Sequence, residues 1–542
     1  MQGEQIKIPM EFLRLLKPLA DQAGVAMPEG ADLVPEINLD EQVIRIGEQL
    51  GGLLSRCDIF VRGSQVVSIE DGRAVAVSAQ RFCSLIEEWV TCIKATKDGR
   101  RVVSMSKDLA GKVMECRQFL RRLPVLEHVL PVRIPYRNEA GEVVLLKKGY
   151  NEECRAYCLD QVPFDESVPV GRAMAVMEDY FGEYQFADLK DKDGAALFSL
   201  WQNRSFCAQI GAMLTIYARL MIGGVRPMHV WVANQQGSGK SVMAEAAVSV
   251  VFGDVAATNN PEDRNEMNKL LDTTAQSLRP YLFLDDAPAF VSSGALNSFL
   301  TRKRHSGRIL GTATEFDEPN VTAVLLTGNN IELTQDLIRR SSVIELFVPG
   351  EIEGREFRRT IDPGYWAQPA VRAEMLGGLW AMVRHWAAAG CPCAKRVKPT
   401  FEQWSNIVGG VVSALPSLPV EGAVIESPVT PPDLPMAGDR RGQEWRQLLI
   451  SMADAVPAED YDAMSPPTYT TGDIVEAARD AKLLEELVGC SGDKPLDAKS
   501  QRRLGMQLKS WRGRILTDLK GRLFQFGARR QERGTVYPLT FV

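Results

Sequence analysis

One stretch constrains this chain more than any other: Ala233-Asn234-Gln235-Gln236-Gly237-Ser238-Gly239-Lys240-Ser241. It follows the compact apolar run Met228–Ala233 and precedes a longer one at 241–251. The first has the length of a buried strand and the second that of a helix. A strand that stops at two glycines and restarts as a helix leaves backbone N–H groups crowded at the helix N-terminus, where they cradle phosphate. Gln236, Gly237, Ser238 and Gly239 form the expected cradle. Lys240 reaches the β- and γ-phosphates, and the Ser241 hydroxyl ligates Mg²⁺. The expected cofactors are therefore ATP and Mg²⁺. The bland alternative is a glycine-rich turn that caps a helix. Asn234 stands where the usual pattern has its first glycine, but the GSGKS core is whole.

Three further motifs follow. Tyr281-Leu282-Phe283-Leu284-Asp285-Asp286 brings acids to a strand end 285 − 240 = 45 residues past Lys240. Asp285 is expected to hold the Mg²⁺ shell and Asp286 to polarise the attacking water. The run 321–330, VTAVLLTGNN, ends in Asn329, 329 − 285 = 44 residues past Asp285. Its amide is placed to orient water near a γ-phosphate, with Asn330 as the adjacent alternative. Asp336-Leu337-Ile338-Arg339-Arg340-Ser341 supplies two arginines, either of which has the address of a finger reaching a neighbour's γ-phosphate. A finger acting between subunits requires a head-to-tail ring. Each motif also has a plain reading, as strand end, turn or solvated pair.

The flanking segments read more weakly. Residues 58–69, then Glu70-Asp71-Gly72-Arg73 and 74–77, read as two strands around an Asp-Gly turn. Helices are expected over 10–19, 197–220, 370–389, 400–413 and 442–455. Strands alternating with helices argue an α/β layer with a largely parallel sheet. Pro416, Pro419, Pro428, Pro431, Pro432 and Pro435 crowd one segment that reads as an extended tether. Beyond it, Leu504, Leu508 and Trp511 share one helix face, with Arg502 and Arg503 off it. Two strands follow at 523–526 and 536–542, around a loop with Arg529, Arg530 and Arg533. That order looks like a winged helix whose helix enters a major groove and whose wing meets phosphates.

The order GSGKS, LFLDD, LLTGNN, DLIRRS resembles the AAA+ motor of superfamily III-like helicases, as in the helicase half of phage, plasmid and genomic-island primase–helicases. The likeness covers roughly 165–415 and, more loosely, the C-terminal unit. It implies an α/β AAA+ P-loop core over 226–413 behind a helical collar at 166–225. Around these lie an α+β N-terminal domain at 1–165, a proline-rich linker at 414–440 and a helix plus winged helix at 441–542. It implies an ATP-dependent DNA helicase or translocase in replication of a mobile element, working as a homo-oligomeric ring, a hexamer by expectation. In such motors a hairpin before the Asn motif grips the nucleic-acid backbone. Here that interval holds Arg302, Lys303, Arg304, His305 and Arg308, of which Lys303, Arg304 and Arg308 are the expected DNA contacts together with Arg502, Arg503, Arg529 and Arg530. The second acid departs from the family's Glu, so Glu266 competes with Asp286 for the base. No primase signature is visible in 1–165. Two other functions fit the same motifs: an ATP-controlled DNA-binding initiator or switch without unwinding, and a protein-remodelling ATPase.

Composition excludes little else. The net charge is −6, but residues 501–542 hold ten Lys+Arg against two Asp+Glu, a net of +8, leaving −6 − 8 = −14 for the rest. A basic tail on an acidic body favours a polyanionic partner at the tail. Ten cysteines occur without a CxxC pair and with only four histidines, which argues against a zinc site. The N-terminus shows no signal peptide and the apolar run 210–222 is too short to span a bilayer. No membrane association and a cytoplasmic, reducing location are expected.

Overall fold

The computed structural model describes residues 35–541 apart from 188–196, 309–314, 349–357, 431–436 and 484–514. Short gaps fall at 56, 64, 98, 234, 262, 288–289, 292, 330, 360, 421–422, 458–460, 463–464, 482, 519, 521, 528 and 532–533. The expected helix over 10–19, the helix with Leu504, Leu508 and Trp511, and Arg502, Arg503, Asn330 and Arg533 lie outside the described residues.

The N-terminal part has its own core, with Ile37, Leu50, Phe82 and Phe119 among its buried members. The segment read as one strand over 58–69 is two. Gly63 turns left-handed at φ +61, and Ile59–Arg62 pairs back on Gln65–Glu70. The Asp71-Gly72 turn forms as the sequence indicates, with φ +47 and +74, joining Gln65–Glu70 to Arg73–Ala76. Leu130, Val132, Ile134, Leu146, Ala156 and Cys158 belong instead to the large central core, whose members run to Val429. A boundary at 165 therefore does not coincide with a break between cores.

The central body is built from helix α1 (Val170–Phe181), helix α2 (Arg204–Tyr217), strand β1 (Met228–Ala233), helix α3 (Lys240–Phe252), strand β2 (Thr258–Asn259), helix α4 (Arg264–Gln276), strand β3 (Tyr281–Asp285), helix α5 (Gly294–Thr301), strands β4 (Arg304–Arg308) and β5 (Glu315–Pro319), strand β6 (Ala323–Asn329), helix α6 (Gln335–Arg339), strand β7 (Ser341–Leu346) and helix α7 (Pro369–Ala388). Five strands form one parallel sheet in the order β2-β3-β6-β1-β7. β6 reads AVLLTGN and is buried at every position up to Gly328. Continuous burial without alternation is what a central parallel strand covered on both faces requires.

α2 was expected to run over 197–220 but is shorter. Asn203 caps it, accepting from the Phe206 N–H at 2.9 Å, after a short 3-10 turn at Leu200–Gln202. The helix is buried along nearly its whole length. Its Gln209 accepts from Trp231 Nε1 of β1 at 2.7 Å and donates to the Met243 carbonyl of α3 at 3.0 Å. α2, β1 and α3 thus share one interior. The proline-rich segment is extended but not a free tether. Val429 is buried, the Glu426 N–H donates to the Trp201 carbonyl at 2.8 Å, and a Cβ at Gly211 of α2 would come within 2.6 Å of Pro428. A proline ring lacks a donor to satisfy and offers an apolar face, and Pro428 sets that face on α2 at Gly211.

The β4–β5 hairpin is inserted between β3 and β6, antiparallel, with Arg304 opposite Pro319 and Arg308 opposite Glu315. It lies on α4: His305 meets Asp272 at 2.7 Å. Gly307 has to be glycine there, because a Cβ would stand 2.8 Å from Asp272 Oδ1 and from the Phe316 ring.

At the C-terminal end, helix Ala437–Asp454 shares a small core with helix Thr471–Asp480 and a sheet centred on Gly534–Phe541. That strand pairs with Thr468–Thr470, Leu523–Phe526 and Arg529–Gln531. The loop expected to carry Arg529 and Arg530 is therefore itself a strand, opposite Val536 and Thr535. Among the described residues, no helix is long and apolar enough to cross a membrane.

Candidate functional site

Parallel strands end together, so β1, β3 and β6 deliver their motifs to one edge of the sheet. Ala233 lies opposite Asn329, and Leu284 opposite Leu326. Because β6 stands between β1 and β3, Asn329 sits between the glycine loop and Asp285.

The loop has the geometry its glycines permit. Gly237 and Gly239 adopt φ +73 and +91, which L residues rarely take. Gly239 also lies under Tyr184, whose ring would be 2.6 Å from an added Cβ. α3 starts directly at Lys240. The Lys240 side chain is buried, and its Nζ donates to Asn329 Oδ1 at 2.5 Å, Ser238 Oγ at 3.2 Å and the Gln235 carbonyl at 3.4 Å. All three acceptors are neutral. Burial pulls the ammonium below its ordinary pKa, partly offset by the charges of Asp285 and Asp286. A buried ammonium held only by neutral oxygens, beside left-handed glycines, fits an anion.

Ser241 Oγ donates to Asp285 Oδ1 at 2.8 Å. The same carboxylate oxygen accepts from Thr327 Oγ1, whose oxygen in turn accepts from the Asp286 N–H at 3.2 Å. Hydroxyl and carboxylate oxygens side by side are the hard donors that suit Mg²⁺. Asp286 is exposed and left-handed, φ +52, which turns the chain sharply after Asp285. Glu245, one helical turn past Ser241, is half-buried, and burial followed by the Asp285 charge raises its pKa. Thr327, Glu245 and Tyr184 are absent from the sequence-derived set. Thr327 stands inside the TGNN motif and was open to view; Glu245 and Tyr184 lie in a helix interior and an upstream segment without a motif.

The other expected residues scatter. Gln236 is an exposed member of the loop. Glu266 is exposed in the first turn of α4, held by Lys269 at 2.7 Å, with no hydrogen bond to the cluster among the described residues. Arg340 is anchored within its own chain, by Asp336 and by Asn297 Oδ1 at 3.0 Å. Arg339 is exposed and has no such partner among the described residues. On the hairpin, Arg304 pairs with Asp317 at 2.6 Å and Arg308 lies 3.8 Å from Glu315, while Lys303 is exposed at its base. Arg529 and Arg530 are fixed only as strand positions.

No family model matches this chain, and no curated protein matches it. Among the solved structures similar to it are the following two. One is the apo A form of the NrS-1 C-terminal region, 11% identical over 89% of this chain and 95% of that one, with a TM-score of 0.35. The other is the SCCmec type IV Cch active helicase, 11% identical over 88% of this chain and 90% of that one, with a TM-score of 0.30.

Proposed function

We propose that the chain is an ATP-hydrolysing DNA helicase or translocase of the superfamily III-like AAA+ type. The observation that carries this reading is the meeting of two hydrogen-bonded groups at the carboxyl edge of one parallel sheet, Lys240 with Asn329, and Asp285 with Ser241 and Thr327. Three motifs far apart in sequence converge there.

The residues fit a bound Mg²⁺–ATP, which would supply the phosphoanhydride and its charge-neutralising cation. The loop N–H groups and Lys240 would hold phosphate oxygens in place of the Lys240–Asn329 contact, and the Ser241 and Asp285 oxygens would hold the Mg²⁺. Asn329 would then be free to orient water, and Asp286 or Glu245 would accept its proton. Arg339, free at the surface, is the finger offered to a neighbouring subunit, which implies a ring. The C-terminal unit with its +8 tail and the β4–β5 hairpin are the DNA-facing parts, the unit being a winged helix in this reading. Replication of a mobile element is the biological role that the motif order suggests.

The test is ATP turnover of the full chain with and without single-stranded, forked and duplex DNA, beside strand displacement on the fork. Lys240→Ala should cut turnover about 10²–10³-fold while leaving the fold intact. Turnover that survives this change would refute the loop assignment. DNA binding with ATP turnover but no displacement would point to a switch.

A further inference from the structure

The amino edge of the same sheet, at the far end of the strands from the glycine loop, carries a second concentration of charge. Arg219 and Arg226 flank Gly223-Gly224 just ahead of β1, and Val321 lies just ahead of β6. Arg219 is 5% exposed and Arg226 8%. Among the described residues neither meets a carboxylate within ion-pair distance. Arg226 Nη2 donates to the carbonyls of Arg219 at 3.1 Å and Ile222 at 2.9 Å; Arg219 Nη2 donates to the Val321 carbonyl at 3.1 Å. The Arg219 guanidinium also lies 5.7 Å from the centre of the Phe252 ring. Arg219 Nη1 and Arg226 Nε are left buried with no hydrogen-bond partner.

Both arginines line a cavity of about 370 Å³, room for about a dozen waters. Its other charged walls are Arg137, Lys303, Glu127 and Glu153, with His128, Tyr136 and Cys154 beside them. Glu127 is already engaged by Arg155 at 2.7 Å. Four cations thus face two carboxylates, one of them occupied. The local field is visible in His128. Burial first, then Arg219, Arg226 and Arg62, push its pKa down to about 3. Burial and the neighbouring Arg226 lower Arg219 to about 9, and burial lowers Arg226 to about 10. Buried guanidiniums are normally paired with a carboxylate, so two that line one cavity without such a partner among the described residues define a site for an anion.

We propose that this cavity binds a phosphate group, with the Arg219 and Arg226 guanidiniums as its inner donors and Lys303 at its rim. Planar, fixed N–H groups match phosphate oxygens. The rim is the base of the β4–β5 hairpin: Lys303, Pro319 and Asn320 all line it, and the Asn320 N–H donates to the Lys303 carbonyl at 2.9 Å. A phosphodiester of a strand lying on the hairpin and a free phosphate present the same chemistry there. The site does not rest on the ATP reading, because it shares no residue with the glycine loop.

The experiment uses the full chain carrying Lys240→Ala, which removes the loop's cation. Its thermal midpoint is followed against inorganic phosphate at fixed ionic strength, with chloride as the counter-salt. Phosphate should raise the midpoint in a saturable way. Lys303→Ala should weaken the apparent affinity about two- to fivefold, and Arg226→Met should abolish the response. Arg226→Lys serves beside it, keeping charge and folding but losing the fork geometry, and should also lose most of the response. A single-stranded oligonucleotide that displaces phosphate assigns the site to a DNA backbone; one that does not assigns it to a free phosphate. The same phosphate response with and without Arg226→Lys and Lys303→Ala overturns the proposal, as does no saturable response at all.

Discussion

Thr327→Val is the substitution that separates a working metal ligand from a bystander. Thr327 is 1% exposed, so valine fills the same space and removes only the hydroxyl. Two interactions go with it: the donor to Asp285 Oδ1 and the acceptor for the Asp286 N–H. A hydrogen bond to a charged group contributes about 1.5–3 kcal/mol, and an orphaned N–H costs about 1–3 kcal/mol. Asp285 is half-exposed and keeps Ser241, so part of the first loss is recovered by water. A net destabilisation of about 2–4 kcal/mol is expected in urea unfolding. The functional effect is separate. Asp285 loses one of the two groups that fix its carboxylate plane, and outer partners of metal ligands typically govern about 10–100-fold in affinity or activity. ATP turnover should fall by that factor, with the Mg²⁺ concentration for half-activity raised. Thr327→Ser retains the hydroxyl and should keep the wild-type Mg²⁺ curve. If Thr327→Val unfolds at lower urea yet shows an unchanged Mg²⁺ curve, Asp285 does not depend on this contact and the metal assignment fails.

Arg339 and Arg340 part in their predicted effects. Arg339→Ala should leave the thermal midpoint within a degree or so and cut turnover about 10³-fold or more in the assembled protein, whereas Arg340→Ala should lower stability by about 1 kcal/mol through its lost contacts with Asp336 and Asn297. Equal losses of turnover at constant stability in both variants would sink the distinction. His229 of β1 should contribute to acid sensitivity. Its Nε2 lies 3.1 Å from Thr215 Oγ1, an oxygen that already donates to the Gly211 carbonyl and accepts from Trp404 Nε1 at 2.7 Å, so Nε2 carries the proton. Nδ1 is buried without a partner, and burial pulls the pKa down to about 3. The unfolded chain takes up the proton near its ordinary 6.5 and the folded chain does not. Stability is therefore lost as pH falls from about 6.5 toward 3, by a few kcal/mol at the bottom of that window. His229→Asn should flatten the pH dependence of the urea midpoint there; an unchanged slope would contradict the assignment.

The sequence exposes those parts of the site that are continuous in the chain and hides those that depend on strand order. GSGKS, the acid pair and TGNN each announce themselves, because the residues that make a strand end and the residues it presents are adjacent. Thr327 is visible but carries no signal of its own. Its partner Asp285 is 42 residues away, and only the insertion of β6 between β1 and β3 brings them together. The choice between Arg339 and Arg340 likewise depends on Asn297, a residue of α5 that no spacing rule connects to α6. Elsewhere, apolar content misled where turn chemistry ruled. Residues 58–69 look like one strand until Gly63 adopts a positive φ. The proline count indicates an extended path at 416–435 but not the docking of Glu426 and Pro428, which depends on Trp201 and on Gly211 of α2. The β-rich tail carries Arg529 and Arg530 in a strand because Gly534–Phe541 has a free edge to offer them.

β6 ties the two ends of the sheet together. Its carboxyl end carries Thr327 and Asn329, the side chains that touch Asp285 and Lys240. Its amino end follows Asn320 and Val321, which close the hairpin and line the arginine cavity. Between them runs a seven-residue strand hydrogen-bonded on both sides, to β1 and to β3, about 23 Å of backbone. A strand held by two ladders and buried on both faces does not stretch or bend locally; it moves as a body with its neighbours or not at all. In the proposed function Lys240 would release Asn329 for a phosphate, and the contact that would change belongs to the same strand that leads from the hairpin base. On the proposed function, β6 is thus the direct path between the glycine loop's partner Asn329 and the base of the hairpin.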